Sequence, residues 1–255
     1  MNRVKFENGR IRFDADRLFY KDLNFLLRDV LKEHKPEIIS IHNVYGQRYI
    51  GTNLRQNVKI EIYGTPGNDL GAFMDGPTIE VFGNAQDGCG NTMNSGEIVV
   101  HGSAGDITGF AARGGEIFVK DDVGYRVGIH MKEYQGKKPT LVIGGTAQDF
   151  LGEYMAGGTL IVFGLYMSEE QRHRADFIGT GMHGGTIYIR GKVEEHQLGK
   201  ELGKVEMKDD DWALMEEYAY KYAEHFGYNH KQILNRDFVK LVPLSLRPYG
   251  KLYAY

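Results

Sequence analysis

The chain has 255 residues, of which 42% are hydrophobic, so it can bury a sizeable core and is not a disordered chain. Its formal net charge is −3 and it has no dense run of Lys and Arg, which argues against a nucleic-acid partner. Neither a stretch of 18 apolar residues nor a signal-peptide h-region occurs, so we expect a soluble, cytoplasmic protein.

The N-terminal residues 1–56 predict a small α/β cap. In residues 3–14, Asn8-Gly9 separates two alternating runs, which is a strong hairpin signal. An amphipathic helix is predicted by apolar residues at helical spacing: Leu23, Leu26, Leu27, Val30 and Leu31. A strand at about 37–42 would complete the cap.

A repeat with strand-like units occupies residues 57–191. Seven similar segments, among them GGTLIVFG and GGTIYIRG, end at residues 64, 83, 102, 121, 145, 164 and 191, which gives steps of 19, 19, 19, 24, 19 and 27. Insertions within 132–138 and 165–178 account for the two longer steps. A fixed period of this length is typical of a solenoid, in which no repeat buries its apolar face alone.

Superposing the repeats gives columns of residues that should face a common interior. Two columns lie two residues apart on the same strand face: Ile60, Ile79, Ile98, Ile117, Leu141, Leu160, Ile187, and Ile62, Val81, Val100, Val119, Ile143, Val162, Ile189. Two more follow each strand: Leu70, Cys89, Thr108, Val127, Leu151, Ile178, and Met74, Met93, Ala112, Met131, Met155, Met182. One apolar strand per repeat favours a right-handed over a left-handed helix. We therefore predict a mainly β fold, a single-stranded right-handed parallel β-helix of about seven 19-residue coils.

Glycines recur seven residues after each strand end, with a shift after the second insertion: Gly71, Gly90, Gly109, Gly128, Gly152 and Gly179. We expect corners there with positive φ or close contact between coils.

The outward strand positions turn from polar to apolar along the chain: Glu61, Glu80, Val99, Phe118, Val142, Ile161 and Tyr188. A partner protein and the chain's own C-terminal tail, residues 192–255, explain this apolar strip equally well. The tail predicts a helix over 212–226, with Asp209 to Asp211 as its cap and Gly227 as its end. We expect the two insertions to contact partners.

The candidate chemical groups each have a structural explanation. GTGMHG, residues 179–184, fits G-x-G-x-x-G, but a strand follows it instead of the helix that a dinucleotide site needs. The methionine column is more typical of a core than of a soft metal site, and Cys89, the only cysteine, is expected to be an inert buried thiol. We predict no catalytic, cofactor-binding or metal-ligating residue.

One column of polar turn residues leaves two explanations open: Asn68, Asp87, Asp106 and Asp149. Asx residues commonly cap turns, which is the structural explanation. Stacked carboxylates also occur in the acidic clefts of β-helical polysaccharide-cleaving enzymes, so a stand-alone hydrolase that uses Asp87, Asp106 and Asp149 is an alternative.

The segments GTPGNDLGAFM, GNAQDGCGNTMNSGEIVVHG, GSAGDITGFAARGGEIFV and GGTAQDFLGEYMAGGTLIVFG resemble the GXGXG domain that ends the large subunit of glutamate synthase. HNVYGQRYIGTNL, residues 42–54, resembles the first segment of that domain. The leader, and a tail that ends FVKLVPLSLRPYGKLYAY, are similar to the free-standing version of the domain.

The resemblance implies a non-catalytic scaffold subunit of a multi-chain glutamate synthase, which forms glutamate from glutamine and 2-oxoglutarate. The chain would bridge a glutamine amidotransferase subunit and an FMN-binding synthase subunit, with FMN and an iron–sulfur cluster on those partners and no cofactor of its own. The residues agree, because Met1 precedes Asn2 instead of the cysteine that such an amidotransferase needs, and a 19-residue repeat excludes an FMN barrel. The same repeat resembles a β-helical scaffold subunit of formylmethanofuran dehydrogenase, a molybdenum or tungsten enzyme, which remains an alternative.

Overall fold

The computed structural model describes residues 3–7 and 10–244. Its strands are β1 (Val4–Glu7), β2 (Arg10–Asp14), β3 (Ile38–Tyr45), β4 (Lys59–Thr65), β5 (Asp75–Phe82), β6 (Ser95–Val100), β7 (Glu116–Val119), β8 (Thr140–Ile143), β9 (Ala156–Val162), β10 (Gly184–Arg190), β11 (Leu202–Val205) and β12 (Phe238–Pro243). Its helices are α1 (Tyr20–His34), α2 (Asp209–Phe226) and α3 (His230–Ile233), with a 3-10 turn at Glu195–Gln197.

The strands form one sheet in the order β1 to β10, then β12 and β11. Neighbours from β2 to β10 are parallel, which confirms the parallel β-helix. The seven repeat segments are β4 to β10, so they are joined by six turns. The right-handed winding stays a prediction.

The two predicted strand columns pair in register along the whole stack. Ile60 lies beside Ile79, Ile79 beside Ile98, and the pairing continues to Leu160 beside Ile187. Every member of both columns is at most 1% exposed. The same holds for the third column, from Leu70 to Ile178, and for the fourth column, from Met74 to Met182. Each buried Val, Leu or Ile side chain contributes about 1.5–3 kcal/mol, so this interior is a large favourable contribution to folding.

The recurring glycines lie at tight corners between coils. Gly109 has φ 71°, and its N–H donates to the carbonyl of Cys89 at 2.7 Å, one coil earlier. A Cβ at this position would collide with Leu141. All six glycines have positive φ, which confirms the predicted corners.

The N-terminal residues extend the same sheet. Strands β1 and β2 pair antiparallel, as the hairpin signal predicts, and Asn8-Gly9 itself lies outside the described residues. Helix α1 buries Leu23, Leu27 and Val30 in the core that also holds the repeat columns. The cap therefore closes the first end of the stack.

The C-terminal residues add two strands that the sequence pattern does not predict. Strand β12 pairs antiparallel with β10, and β11 pairs with β12 at the edge. Helix α2 begins at Asp209, three residues earlier than expected, because Asp211 is inside the first turn and accepts the N–H of Lys208 at 2.8 Å. Gly227 ends the helix with φ 74°, as predicted. Residues 245–255, with the RPYG part of the tail, lie outside the described residues.

Candidate functional site

The turn carboxylates connect one coil to the next. Asp87 Oδ1 accepts the N–H of Asp106, and Asp106 Oδ1 accepts the N–H of Tyr125, both at 2.9 Å. Asp149 Oδ1 accepts the N–H of Asp176 at 2.9 Å, and the backbone carbonyl of Asn68 accepts the N–H of Tyr49 at 3.0 Å. The carboxylates of this column therefore cap turns, and this geometry favours the structural explanation over the hydrolase.

The sulfur-bearing side chains and the glycine motif belong to the core. Cys89 is fully buried, and burial raises the pKa of its thiol to about 12, so it carries little thiolate at neutral pH. The five methionines of the fourth column are at most 1% exposed. GTGMHG runs directly into β10, and Gly181 fits against the ring of Tyr154, where a Cβ would collide.

Helix α2 covers the second half of the outer sheet face. The buried strip Val99, Phe118, Val142, Ile161 and Tyr188 packs against Met215, Tyr218, Ala219, Tyr222 and Ala223 of this helix. Of the two explanations for the apolar strip, the chain's own tail is therefore correct, and the explanation by a partner is wrong.

Polar groups fix the position of α2 on this face. Tyr218 donates to Glu116 Oε1 and also contacts Thr140 Oγ1, both at 3.1 Å, and Tyr222 donates to the Lys120 carbonyl at 2.7 Å. Burial raises the pKa of Tyr218 to about 12, so its hydroxyl keeps the proton that it donates. Lys221 pairs with Glu116 at 2.9 Å.

A buried carboxylate joins β10, α2 and β12. Asp211 accepts from Tyr188 at 2.6 Å and pairs with Lys240 at 2.7 Å. Burial acts to raise the pKa of Asp211, but the hydrogen bonds from Lys240, Tyr188 and the Lys208 N–H outweigh it and lower the pKa overall. The carboxylate is therefore ionised and holds three elements together.

The first half of the outer face, over β1 to β5, is not covered by α2. Four rings stack on one another, three of them on β3 to β5 and the fourth directly after β6: His42, Tyr63, Phe82 and His101, with centroids 4.4, 4.8 and 4.9 Å apart. We call these four residues the aromatic ladder. Tyr63 is 37% and Phe82 38% exposed, and the ladder ends where Phe226 of α2 meets His101 edge-on at 5.2 Å.

A row of charged residues runs beside the aromatic ladder. Strand pairing aligns Lys5, Arg12, Ser40, Glu61 and Glu80 across β1 to β5, and we call these five residues the charged row. Glu80 pairs with Lys59 at 2.7 Å and with His101 at 2.8 Å. Burial acts to raise the pKa of Glu80, but these two partners outweigh it and lower the pKa.

Both insertions pack against the body of the chain. In 132–138, Lys137 pairs with Asp75 at 3.0 Å, and Tyr134 is 44% exposed. In 165–178, Tyr166 donates to Asp121 at 2.8 Å, and Arg236 donates to the carbonyl of Met167 at 3.0 Å. Their role as contact loops for partners stays a prediction.

Three surface grooves lined partly by charged residues lie away from the Asp column. A groove of about 540 Å³ between the second insertion and β12 is lined by opposite charges, among them Glu169, Lys192 and Arg236. Within residues 3–7 and 10–244, no three His, Cys, Asp or Glu side chains are grouped as metal ligands would be. In the same part of the chain, no helix has the length and apolar character needed to cross a membrane.

Comparison with known proteins assigns this repeat to a protein family. Residues 37–244 match the family model described as the GXGXG motif. The chain belongs to the GXGXG family. A Methanocaldococcus jannaschii protein, named uncharacterized protein MJ1350, is 46% identical over 249 residues, which cover 94% of this chain and 95% of that protein.

A solved structure has a similar fold. It is a chain of the formyltransferase/hydrolase complex FhcABCD from Methylorubrum extorquens, solved with methylofuran, and it matches with a TM-score of 0.59 over 92% of both chains. At 20% identity this likeness concerns the fold alone.

Sequence reasoning missed the aromatic ladder, although a signal was present. Tyr63, Phe82 and His101 recur at 19 residues, one position after the second inward column, and His42 precedes them by 21. Aromatic rings at equivalent positions of neighbouring coils are held one strand spacing apart, about 4.8 Å, which is a stacking distance.

Proposed function

We propose that this GXGXG-family chain is the non-catalytic scaffold subunit of a multi-chain glutamate synthase. It bridges a glutamine amidotransferase subunit and an FMN-binding synthase subunit. FMN and the iron–sulfur cluster belong to those partners, which carry out the conversion of glutamine and 2-oxoglutarate to glutamate.

The family match over residues 37–244 is the observation that carries the proposal. The side chains of each coil have structural roles, which supports a scaffold. The inward columns fill the core, and the turn carboxylates accept backbone N–H groups of the next coil. The only thiol, Cys89, is buried within the stack, and a thiolate-ligated cluster needs several cysteines, which supports a scaffold whose cluster is held by a partner.

The proposal is tested by assembly from purified chains of the same organism. We expect this chain, the amidotransferase and the FMN synthase to co-purify as one complex, and glutamate formation from glutamine and 2-oxoglutarate to require all three. A synthase and amidotransferase that reach full coupled activity without this chain would contradict the scaffold role.

The same experiment tests the formylmethanofuran dehydrogenase alternative. The chain is mixed in parallel with the molybdenum- or tungsten-binding subunits of that enzyme. A complex with these subunits, together with no binding to either glutamate synthase chain, would replace the proposal.

The hydrolase alternative is tested with Asp106→Asn. The amide oxygen retains the acceptor for the Tyr125 N–H, so we expect folding and assembly to be unchanged. Polysaccharide cleavage by the wild-type chain that disappears in this variant would support the hydrolase instead.

A further inference from the structure

The charged row is antisymmetric about its central strand. Read from β1 to β5 it is Lys5, Arg12, Ser40, Glu61 and Glu80, so two cations and two carboxylates flank a neutral centre on β3. Lys5 and Arg12 are exposed. A second copy rotated by 180° about an axis parallel to β3 would bring each cation of one copy opposite a carboxylate of the other.

The neighbouring row across the same strands, which contains Arg3, Asp14, His42, Tyr63 and Phe82, also has complementary halves. On β4 and β5 the half-exposed rings of Tyr63 and Phe82 protrude. On β1 and β2, a cleft of about 180 Å³ is bordered by Arg3, Arg12 and Asp14. The same rotation places Tyr63 over Asp14 and Phe82 over Arg3, which are a hydroxyl donor over a carboxylate and a ring over a guanidinium.

Within the described part of its own chain, Glu61 has no short polar contact. It is 8% exposed, and its nearest polar neighbours there are the hydroxyl of Tyr63 at 3.4 Å, Arg10 at 3.6 Å and Lys59 at 3.9 Å. A mostly buried carboxylate usually has closer partners. Arg12 of a second copy would supply one.

We propose that the outer face of β1 to β5 is an isologous interface between two copies of this chain. The two-fold axis runs parallel to β3, so that Arg12 of each copy meets Glu61 of the other and Lys5 meets Glu80. The same rotation brings Arg10 opposite Lys59. Lys59 is paired with Glu80 at 2.7 Å within its own chain, whereas Arg10 has only its 3.6 Å contact with Glu61, so this meeting of like charges lowers the affinity of the dimer.

Helix α2 fits this arrangement. It covers the sheet from β6 onward, and a helix packed on a sheet forms a layer about as thick as the roughly 10 Å between two packed sheets. The β1 edge of the second copy therefore lies beside the Phe226 end of α2. Five strands span only about 19 Å, so the interface is small and we expect a dimer with a dissociation constant in the micromolar range.

Charge reversal with mixing tests the proposed axis. The full chain and its variants are examined by sedimentation equilibrium from about 1 to about 200 µM. We expect the wild type to dimerise, and Arg12→Glu and Glu61→Lys each to weaken the dimer by about tenfold or more, because like charges then meet twice. An equimolar mixture of the two variants should restore association to within about threefold of wild type, since opposite charges face each other again.

The aromatic ladder supplies a test that does not depend on Glu61→Lys folding. Phe82→Ala should weaken the dimer, and Tyr154→Ala, which removes a ring that is 47% exposed and does not belong to the ladder, should not. Thermal melts establish that each variant is folded. A wild type that sediments at 28.8 kDa at every concentration would overturn the proposal, as would a dimer that Arg12→Glu and Phe82→Ala leave intact.

A monomeric wild type whose binding to the amidotransferase or synthase chain is weakened by Phe82→Ala would also overturn it, and would assign this face to that partner. The dimer and the scaffold role fail separately, because sedimentation of the chain alone does not involve those enzymes.

Discussion

Besides the corner glycines, positive φ angles recur at two further fixed positions of every coil, and side chains other than glycine occupy most of these two positions. Twelve of the sixteen non-glycine residues with positive φ in the described chain fall there: Tyr49, Asp69, Ile107, Arg126, Phe150, Phe177, and Asn53, Phe73, Thr92, Ala111, His130, Tyr154. Such a conformation costs an L-residue about 1–2 kcal/mol. The hydrogen bonds between coils hold it in place, so the strain is repeated by the architecture.

The substitution Gly109→Ala, compared with a control glycine, distinguishes the cost of positive φ from the cost of a steric collision. The alanine would have to adopt φ 71°, and its Cβ would collide with Leu141. We therefore expect the free energy of unfolding to fall by about 3 kcal/mol or more. Gly136→Ala is the matched control, because Gly136 has φ 75° but no atom within 4 Å of its Cβ position, and we expect it to cost only about 1 kcal/mol. Urea denaturation measures both. Equal losses would show that the corner glycines are required for φ alone.

Cys89→Asp tests the third inward column. The carboxylate would be buried between Leu70 and Thr108 in an apolar stack, so we expect the free energy of unfolding to fall by about 3–5 kcal/mol. Cys89→Ala, which only removes volume, should cost less. An unchanged thermal melt for Cys89→Asp would place this side chain at the surface.

At the level of elements, the second insertion contains a buried histidine that contacts the backbone of β10. His173 is 2% exposed, and its Nε2 lies 2.8 Å from the carbonyl oxygen of Arg190 on β10. Burial is the main cause that lowers the pKa of His173, and the Arg190 charge lowers it further, although the hydrogen bond opposes them. The folded protein therefore binds this proton more weakly than the unfolded chain.

The sign of the stability change follows from that difference. The contribution of His173 to the free energy of unfolding is fully present above the unfolded pKa of about 6.5. It decreases as the pH falls below that value, by at most about 1.4 kcal/mol per pH unit. We expect His173→Gln to flatten the dependence between about pH 6.5 and 5. Denaturation curves at several pH values measure it. A residual slope of the same sign is expected from His42, whose pKa is also lowered by burial.

Strands with a repeated apolar pattern were predictable, and elements defined by a single tertiary contact were not. The columns of β4 to β10 and the amphipathic α1 follow from period and spacing. Strand β11 has four residues and β12 is defined by its pairing with β10, which no local pattern encodes. The sequence showed that α2 would form but not which sheet face it covers, because many surfaces accept an amphipathic helix.

On the scale of the whole molecule, the outer sheet face divides into two surfaces of different chemistry. Over β6 to β10 the strip is apolar and α2 seals it, with Tyr218 and Tyr222 as polar anchors. Over β1 to β5 the same face carries charges and half-exposed rings. The change from Glu80 to Val99 in one column marks the boundary, since a glutamate beneath α2 would have to be buried without water.

The optical spectrum of the isolated chain tests whether it carries a cofactor of its own. An iron–sulfur cluster is ligated by several cysteine thiolates, and the one thiol here, Cys89, is fully buried with its pKa raised to about 12. The described coils enclose side chains that are at most 1% exposed, and their close packing excludes an isoalloxazine ring from that interior. We therefore expect the purified chain to be colourless above about 320 nm and inactive in glutamate formation, and the assembled complex to show the flavin and cluster bands of its partners. A flavin spectrum at stoichiometric occupancy from this chain alone would contradict the scaffold role.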